Sequence, residues 1–322
     1  AKALSSMSAI VFVPFVQVFG FALFLLPWTF YVLYLASLGD QKVTTITINS
    51  ETVTVREFEF DDEVRQAGWY MLFCLFWTSQ FIVAVGHIGM STAVATWYFS
   101  RDKSSVNSLT PYYSLGMVLR FHAGTAAFGS LLIALVQIVR TAIAYAQRKA
   151  KESGSKVAEY VLACCTCCIW CLEKFLKFLN RNAYIQTAIF STSFCPSARN
   201  AFFLIARNIA RVGAVTLVGG FVELIGKLFI VGCACLGSFV IMDTLYEDEV
   251  NGLFLPVLFV YFLAYFTAEM FLEIYHIAIL TLLQCFIADE EMFGTSDSAF
   301  AEPDLRGYLK EHGAIKEKKG FS

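Results

Sequence analysis

A few side chains able to hold charge fall inside long apolar runs of this chain, and their spacing limits what they can do. An ionisable group in a hydrocarbon phase is costly, so it marks a pathway or a pair. Glu223 and Lys227 stand four residues apart and can neutralise each other on one helix face, which makes them a candidate structural ion pair. Glu269 and Glu273 repeat that spacing with no base beside them. Two carboxylates one turn apart repel, so at least one must be protonated, hydrated or facing a cation. His87 sits in mid-run between Gly86 and Gly89, where a close backbone approach or a bend is available. Trp69, Phe73, Phe76, Trp77 and Gln80 follow helical spacing and form one aromatic stripe. Such a stripe packs or faces lipid, but Trp77 is deep in its run, beside Thr78, Ser79 and Gln80, and is the member placed to line a polar path.

Other chemistries find no support. There is no Gly-rich phosphate loop, no Ser/His/Asp arrangement and no H-E-x-x-H, and His87, His122, His276 and His312 show no ligand spacing. No enzyme activity, metal or cofactor is therefore expected. Cys164, Cys165, Cys167, Cys168 and Cys171 include three C-x-x-C spacings. On a helix, however, Cys164, Cys168 and Cys171 share one face and cannot close a tetrahedron around zinc alone. The cluster reads as a small-residue packing face, or as interface thiols open to reversible acylation.

These residues must be positioned by membrane helices. Of 322 residues, 57% are hydrophobic and 16% charged, against about 25% charged in soluble domains, so no water-soluble globule can be built. The net charge of −2 gives no footing for nucleic acid. Five apolar runs, at about 10–35, 69–99, 115–144, 212–242 and 253–286, are long enough to span a bilayer. Pro14 and Pro27 lie in the first of them. The fold class is an all-α polytopic membrane protein, with residues 1–286 as the transmembrane domain and 287–322 as a cytoplasmic tail. Residues 37–68 form an extracytoplasmic loop whose alternating β-branched stretch, Val43 to Val55, reads as a hairpin around Asn49-Ser50.

Residues 147–211 are basic and Cys-rich, hence cytoplasmic, and the acidic loop of Asp243, Glu247, Asp248 and Glu249 is external. Five spans do not satisfy both assignments if the Arg101 loop is inside. A short sixth crossing at 157–172, about 24 Å long at 1.5 Å per residue, restores parity. The alternative is a re-entrant third run bending at Gly124 and Gly129. Residues 172–179 then form an amphipathic helix on the cytoplasmic interface. The chain opens on Ala1-Lys2-Ala3 without Met and reads as the continuation of a longer protein.

Specific motifs add a family. The run from Cys167 through Trp170, Glu173, Asn180, Arg181 and Asn182 to Tyr184, then Phe194-Cys195-Pro196-Ser197-Ala198-Arg199-Asn200, resembles the signature of choline transporter-like proteins. Trp97-Tyr98-Phe99-Ser100-Arg101-Asp102-Lys103 and Arg120-Phe121-His122-Ala123-Gly124-Thr125 extend the match. The resemblance implies a multi-pass carrier of choline or a related amine in the plasma or mitochondrial membrane, working by alternating access. It departs from the family pattern at Leu280 and Gly220, where acids are usual. A non-transporting subunit of a larger membrane complex is the second reading. Choline is a permanent cation without an N–H, so its site needs carboxylates, carbonyl oxygens or π faces. On that basis the candidate binding residues are Trp77, Gln80, His87, Glu269 and Glu273.

Overall fold

A computed structural model describes residues 2–48, 51–245, 252–293 and 300; structural statements below concern these residues. The short helix α1 (Lys2–Ser6) and a 3-10 turn lead into α2 (Val13–Ser37), which keeps Pro27 inside it. Then come β1 (Asp40–Ile48), β2 (Glu51–Glu59), α3 (Asp62–Phe99) and α4 (Thr110–Met117). A π-helical turn at Val118–His122 joins α4 to α5 (Ala123–Glu152), followed by α6 (Lys156–Phe190), α7 (Phe194–Arg207), α8 (Ile209–Leu245) and α9 (Phe254–Phe293).

Five helical stretches are long and apolar enough to cross a bilayer: Ser8–Ser37, Asp62–Phe99, Thr110–Glu152, Ile209–Thr244 and Phe254–Met292. They coincide with the five expected runs. The protein is thus an all-α polytopic membrane protein carrying one hairpin. The strands pair antiparallel from Asp40 opposite Glu59 to Ile48 opposite Glu51. β-branched alternation accounts for them, and the turn residues Asn49 and Ser50 lie outside the described residues.

Several expected boundaries change. α6 is one 35-residue helix, so Leu172 separates nothing, and the short crossing and the interfacial helix are a single rod. No Gly or Pro lies between 156 and 190 to break it, and Glu173 and Lys177, 2.8 Å apart, support it from within. The third run does not turn back at Gly124 or Gly129. Both lie inside α5, and the irregularity is the π turn just before it. α9 continues to Phe293, beyond the boundary expected at 286, because Ile287, Ala288 and Asp289 are buried. Glu247, Asp248, Glu249 and the tail from 301 onward lie outside the described residues.

The chain divides into two compact units, one of residues 1–14, 85–125 and 181–322, the other of 15–84 and 126–180. In the first unit the core gathers Met7, Ile10, Met90, Val94, Tyr98, Ile277 and Phe286. Gly89 permits its tightest approach, since a Cβ there would stand 2.6 Å from Leu115 Cδ2. Polar ties cross the same core. Thr281 donates to Ser91 at 3.1 Å, and Tyr98 donates to Asp289 at 3.1 Å. Gln186 donates to Gln284 at 2.8 Å and Gln284 to Asn182 at 2.7 Å, all three side chains being buried.

The second unit is held in a similar manner. Trp28 Nε1 donates to the Met71 carbonyl at 2.9 Å, and Asn180 Nδ2 to the Gly129 carbonyl at 2.7 Å. Glu173, buried on α6, accepts from Arg140 at 2.6 Å and Gln137 at 3.2 Å, both on α5. Burial alone would raise the Glu173 carboxyl. The hydrogen bonds of Lys177 and Gln137 and the charges of Lys177 and Arg140 outweigh it and hold the group below the ordinary glutamate value.

Candidate functional site

α9 presents Glu269, Glu273 and His276 at i, i+4 and i+7, on one face of a helix without an internal Gly or Pro from 257 to 292. Each acid meets a base from another helix of the first unit. Glu273 Oε1 accepts from Arg181 of α6 at 2.8 Å, and His87 Nε2 of α3 lies 3.2 Å from the same oxygen. The His87 ring meets Tyr184 edge-on at 6.4 Å, and Tyr184 in turn meets Phe194 at 6.1 Å.

The second cluster lies between α8 and α9. Lys227 Nζ reaches Glu223 at 2.6 Å and Glu269 at 2.5 Å, bridging two carboxylates. His276 Nδ1 lies 3.0 Å from Glu223 Oε2. A carboxylate only accepts, so Nδ1 carries the proton and Nε2 of a neutral ring is an acceptor. That Nε2 is buried and finds no hydrogen-bond partner among the described residues. Across both clusters three carboxylates face two permanent cations, Arg181 and Lys227, and two histidines. With the histidines neutral the set carries one surplus negative charge inside apolar helices, and it is suited chemically to holding a cation.

Glu269 and Glu273 each face a cation, as their spacing required of at least one of them: Lys227 answers the first and Arg181 the second. His87 sits on an unbroken α3, and the flanking glycine Gly89 serves close packing rather than a bend. Trp77 and Gln80 belong to the second unit. There Trp77 Nε1 donates to the Ala127 carbonyl at 3.1 Å and its ring lies 5.7 Å from Phe73, with 36% of the residue exposed, while Gln80 is half-buried. Neither unit holds all five expected binding residues. The five clustered cysteines of α6 are exposed, so they do not form a packing face within their own unit.

Two members of the clusters were not among the expected ligands. In sequence Arg181 belongs to the basic region and to the family motif, and its place at the centre of a polar Asn-Arg-Asn triplet is the signal that could have marked it. His276 lacks metal-ligand spacing, but its i, i+3 relation to Glu273 puts it on the acidic face of α9.

A family model described as plasma-membrane choline transporter matches residues 1–291. Choline transporter-like protein 2 of Xenopus laevis is 41% identical over 231 residues, which cover 69% of this chain and 32% of that protein. The Sus scrofa protein of the same name is 41% identical over 250 residues, covering 74% and 35%. Choline transporter-like protein 1 of Xenopus laevis is 34% identical over 317 residues, covering 96% and 47%. The chain thus spans about a third to a half of the length of these curated relatives. The family match runs through both carboxylate clusters, and the chain belongs to the plasma-membrane choline transporter family.

Proposed function

We propose that this chain forms the cation-handling part of a plasma-membrane carrier that moves choline or a related amine by alternating access. The observation that carries the proposal is the surplus carboxylate of the α8–α9 cluster, where Glu223 and Glu269 share the single Lys227. A quaternary ammonium has no proton to donate, so it is held by charge and by ring faces. At 4 Å and an effective dielectric of about 20 a carboxylate contributes about 4 kcal/mol of attraction, and each ring face about 0.5 to 2 kcal/mol. Glu269 is the more accessible of the two acids, at 45% side-chain exposure against 16% for Glu223, and is the one a solute meets.

The test is uptake of radiolabelled choline by the full-length protein in proteoliposomes. Glu269→Gln is expected to raise KM at least about tenfold, a loss of about 1.4 kcal/mol, with the protein still correctly inserted. Unchanged uptake in Glu269→Gln and in Glu223→Gln would overturn the assignment of the site. Absence of uptake by the unmutated protein would overturn the carrier reading and favour an accessory subunit.

A further inference from the structure

The end of α6, the whole of α7 and the end of α9 line an open cavity of about 710 Å³ that the carboxylate clusters do not use. The chain enters α7 through a turn in which Ser191 takes a left-handed φ of 54°, and Thr187 and Thr192 both hydrogen-bond the Ser197 hydroxyl, at 2.9 and 2.7 Å. That fixes the first turn of α7, Cys195 and Pro196 included, on the cavity wall. The wall has two kinds of surface. Phe190, Phe203, Leu204 and Ala288 are apolar, whereas Arg199, Asn200 and Arg207 are polar or charged.

The charges do not balance. Arg207 is paired with Glu291 at 3.3 Å. Arg199 has no ion pair among the described residues, and its guanidinium rests 5.8 Å from the Phe203 ring. Two arginines against one carboxylate leave a net positive cavity, which repels choline and attracts an anion. A guanidinium presents a planar donor fork that matches phosphate oxygens.

We propose that this cavity binds the phosphate of an anionic phospholipid, with Arg199 as its principal ligand and the Phe190–Phe203–Leu204 surface receiving the start of the acyl chains. Volume and lining favour a lipid over a free anion. About 710 Å³ lies within the range of sites that enclose drug-sized ligands, so inorganic phosphate would leave most of the apolar wall unfilled. Basic pockets beside membrane helices can bind anionic headgroups.

The experiment titrates the purified full-length protein in detergent with short-chain phosphatidylglycerol, short-chain phosphatidylcholine and inorganic phosphate, reading bound ligand by native mass spectrometry. Phosphatidylglycerol is expected to bind in preference to phosphatidylcholine. Arg199→Ala should weaken it at least about tenfold, the range of a charge-assisted pair, and Arg199→Lys should weaken it less. Glu291→Gln, which removes the opposing carboxylate, should tighten binding several-fold, a gain that misfolding cannot imitate. Equal affinity for the two lipids, or an Arg199→Ala variant that binds phosphatidylglycerol like the unmutated protein, would overturn the proposal. Inorganic phosphate binding as tightly as the lipid would overturn it in favour of a soluble anion.

Discussion

Removing Arg181 tests whether the first carboxylate cluster holds together by charge. Arg181 and Glu273 meet at 2.8 Å with 31% and 23% of their side chains exposed. Deleting one partner of a fully buried pair costs about 3–5 kcal/mol, because the other charge is stranded. Two features of this site reduce that figure. Water reaches both side chains in part, and His87 Nε2 stays 3.2 Å from the same carboxylate oxygen as a polar partner. The expected loss for Arg181→Ala is therefore about 2 kcal/mol, and similar for Glu273→Gln, which strands the guanidinium instead. The double variant should lose scarcely more than either single one, giving a coupling energy of about 1.5 kcal/mol. The assay is thermal unfolding in detergent at a fixed scan rate, which keeps irreversible transitions comparable. At about 2 °C per kcal/mol for a chain of this size, each single variant should melt about 4 °C lower. If the two losses simply add in the double variant, the residues do not interact, and the account of the cluster is refuted.

Three further outcomes follow from particular contacts. The Glu173 carboxyl is held below its ordinary value, so its contribution to stability is present above the unfolded value of about 4.3. That contribution is lost as pH falls through the lower folded value; Glu173→Gln should flatten the acid limb of a stability–pH profile, and an unchanged limb would contradict the network. Trp77→Phe keeps the ring and deletes the donor to the Ala127 carbonyl, and should cost about 1 kcal/mol in unfolding experiments with little change in the KM for choline. Gly89→Ala forces a Cβ against Leu115 and should destabilise by about 1–3 kcal/mol, with Leu115→Ala restoring part of the loss in the double variant.

What could be read from the amino-acid order was what is local. The apolar runs announce the five long helices because a bilayer demands length and little else. The β1–β2 hairpin follows from alternation over residues 43–55. Glu223 and Lys227 are partners across one helical turn, and spacing alone brings them together. The long-range pairings were not legible. Glu269 and Glu273 looked unanswered because their bases are 42 and 92 residues away in the chain, as the pairs Lys227–Glu269 and Arg181–Glu273 show. The charged stretch of α6 looks in sequence like an interruption, yet Glu173 is buried against Arg140 and Gln137 of α5, which lets a polar segment continue a helix. The Asn182, Gln186 and Gln284 amides gave no signal, since each is unremarkable until the other two are beside it.

Those three amides also act mechanically. Sliding α9 by one turn, about 5.4 Å, along the end of α6 would break both hydrogen bonds at once and strand buried polar groups, each at about 1–3 kcal/mol. The hydrogen bond from Thr281 to Ser91 clamps α9 to α3 in the same way. α8 is held to α9 by charged groups instead of neutral ones. It meets α9 through the Lys227–Glu223–Glu269–His276 charges, the Arg211–Glu290 pair at 2.8 Å, the packing of Leu272 over Gly226 and a buried apolar cluster that includes Val212 and Ile287. Within this unit α9 is therefore the common support, tied to α3 and the end of α6 by buried neutral hydrogen bonds and to α8 by charged ones.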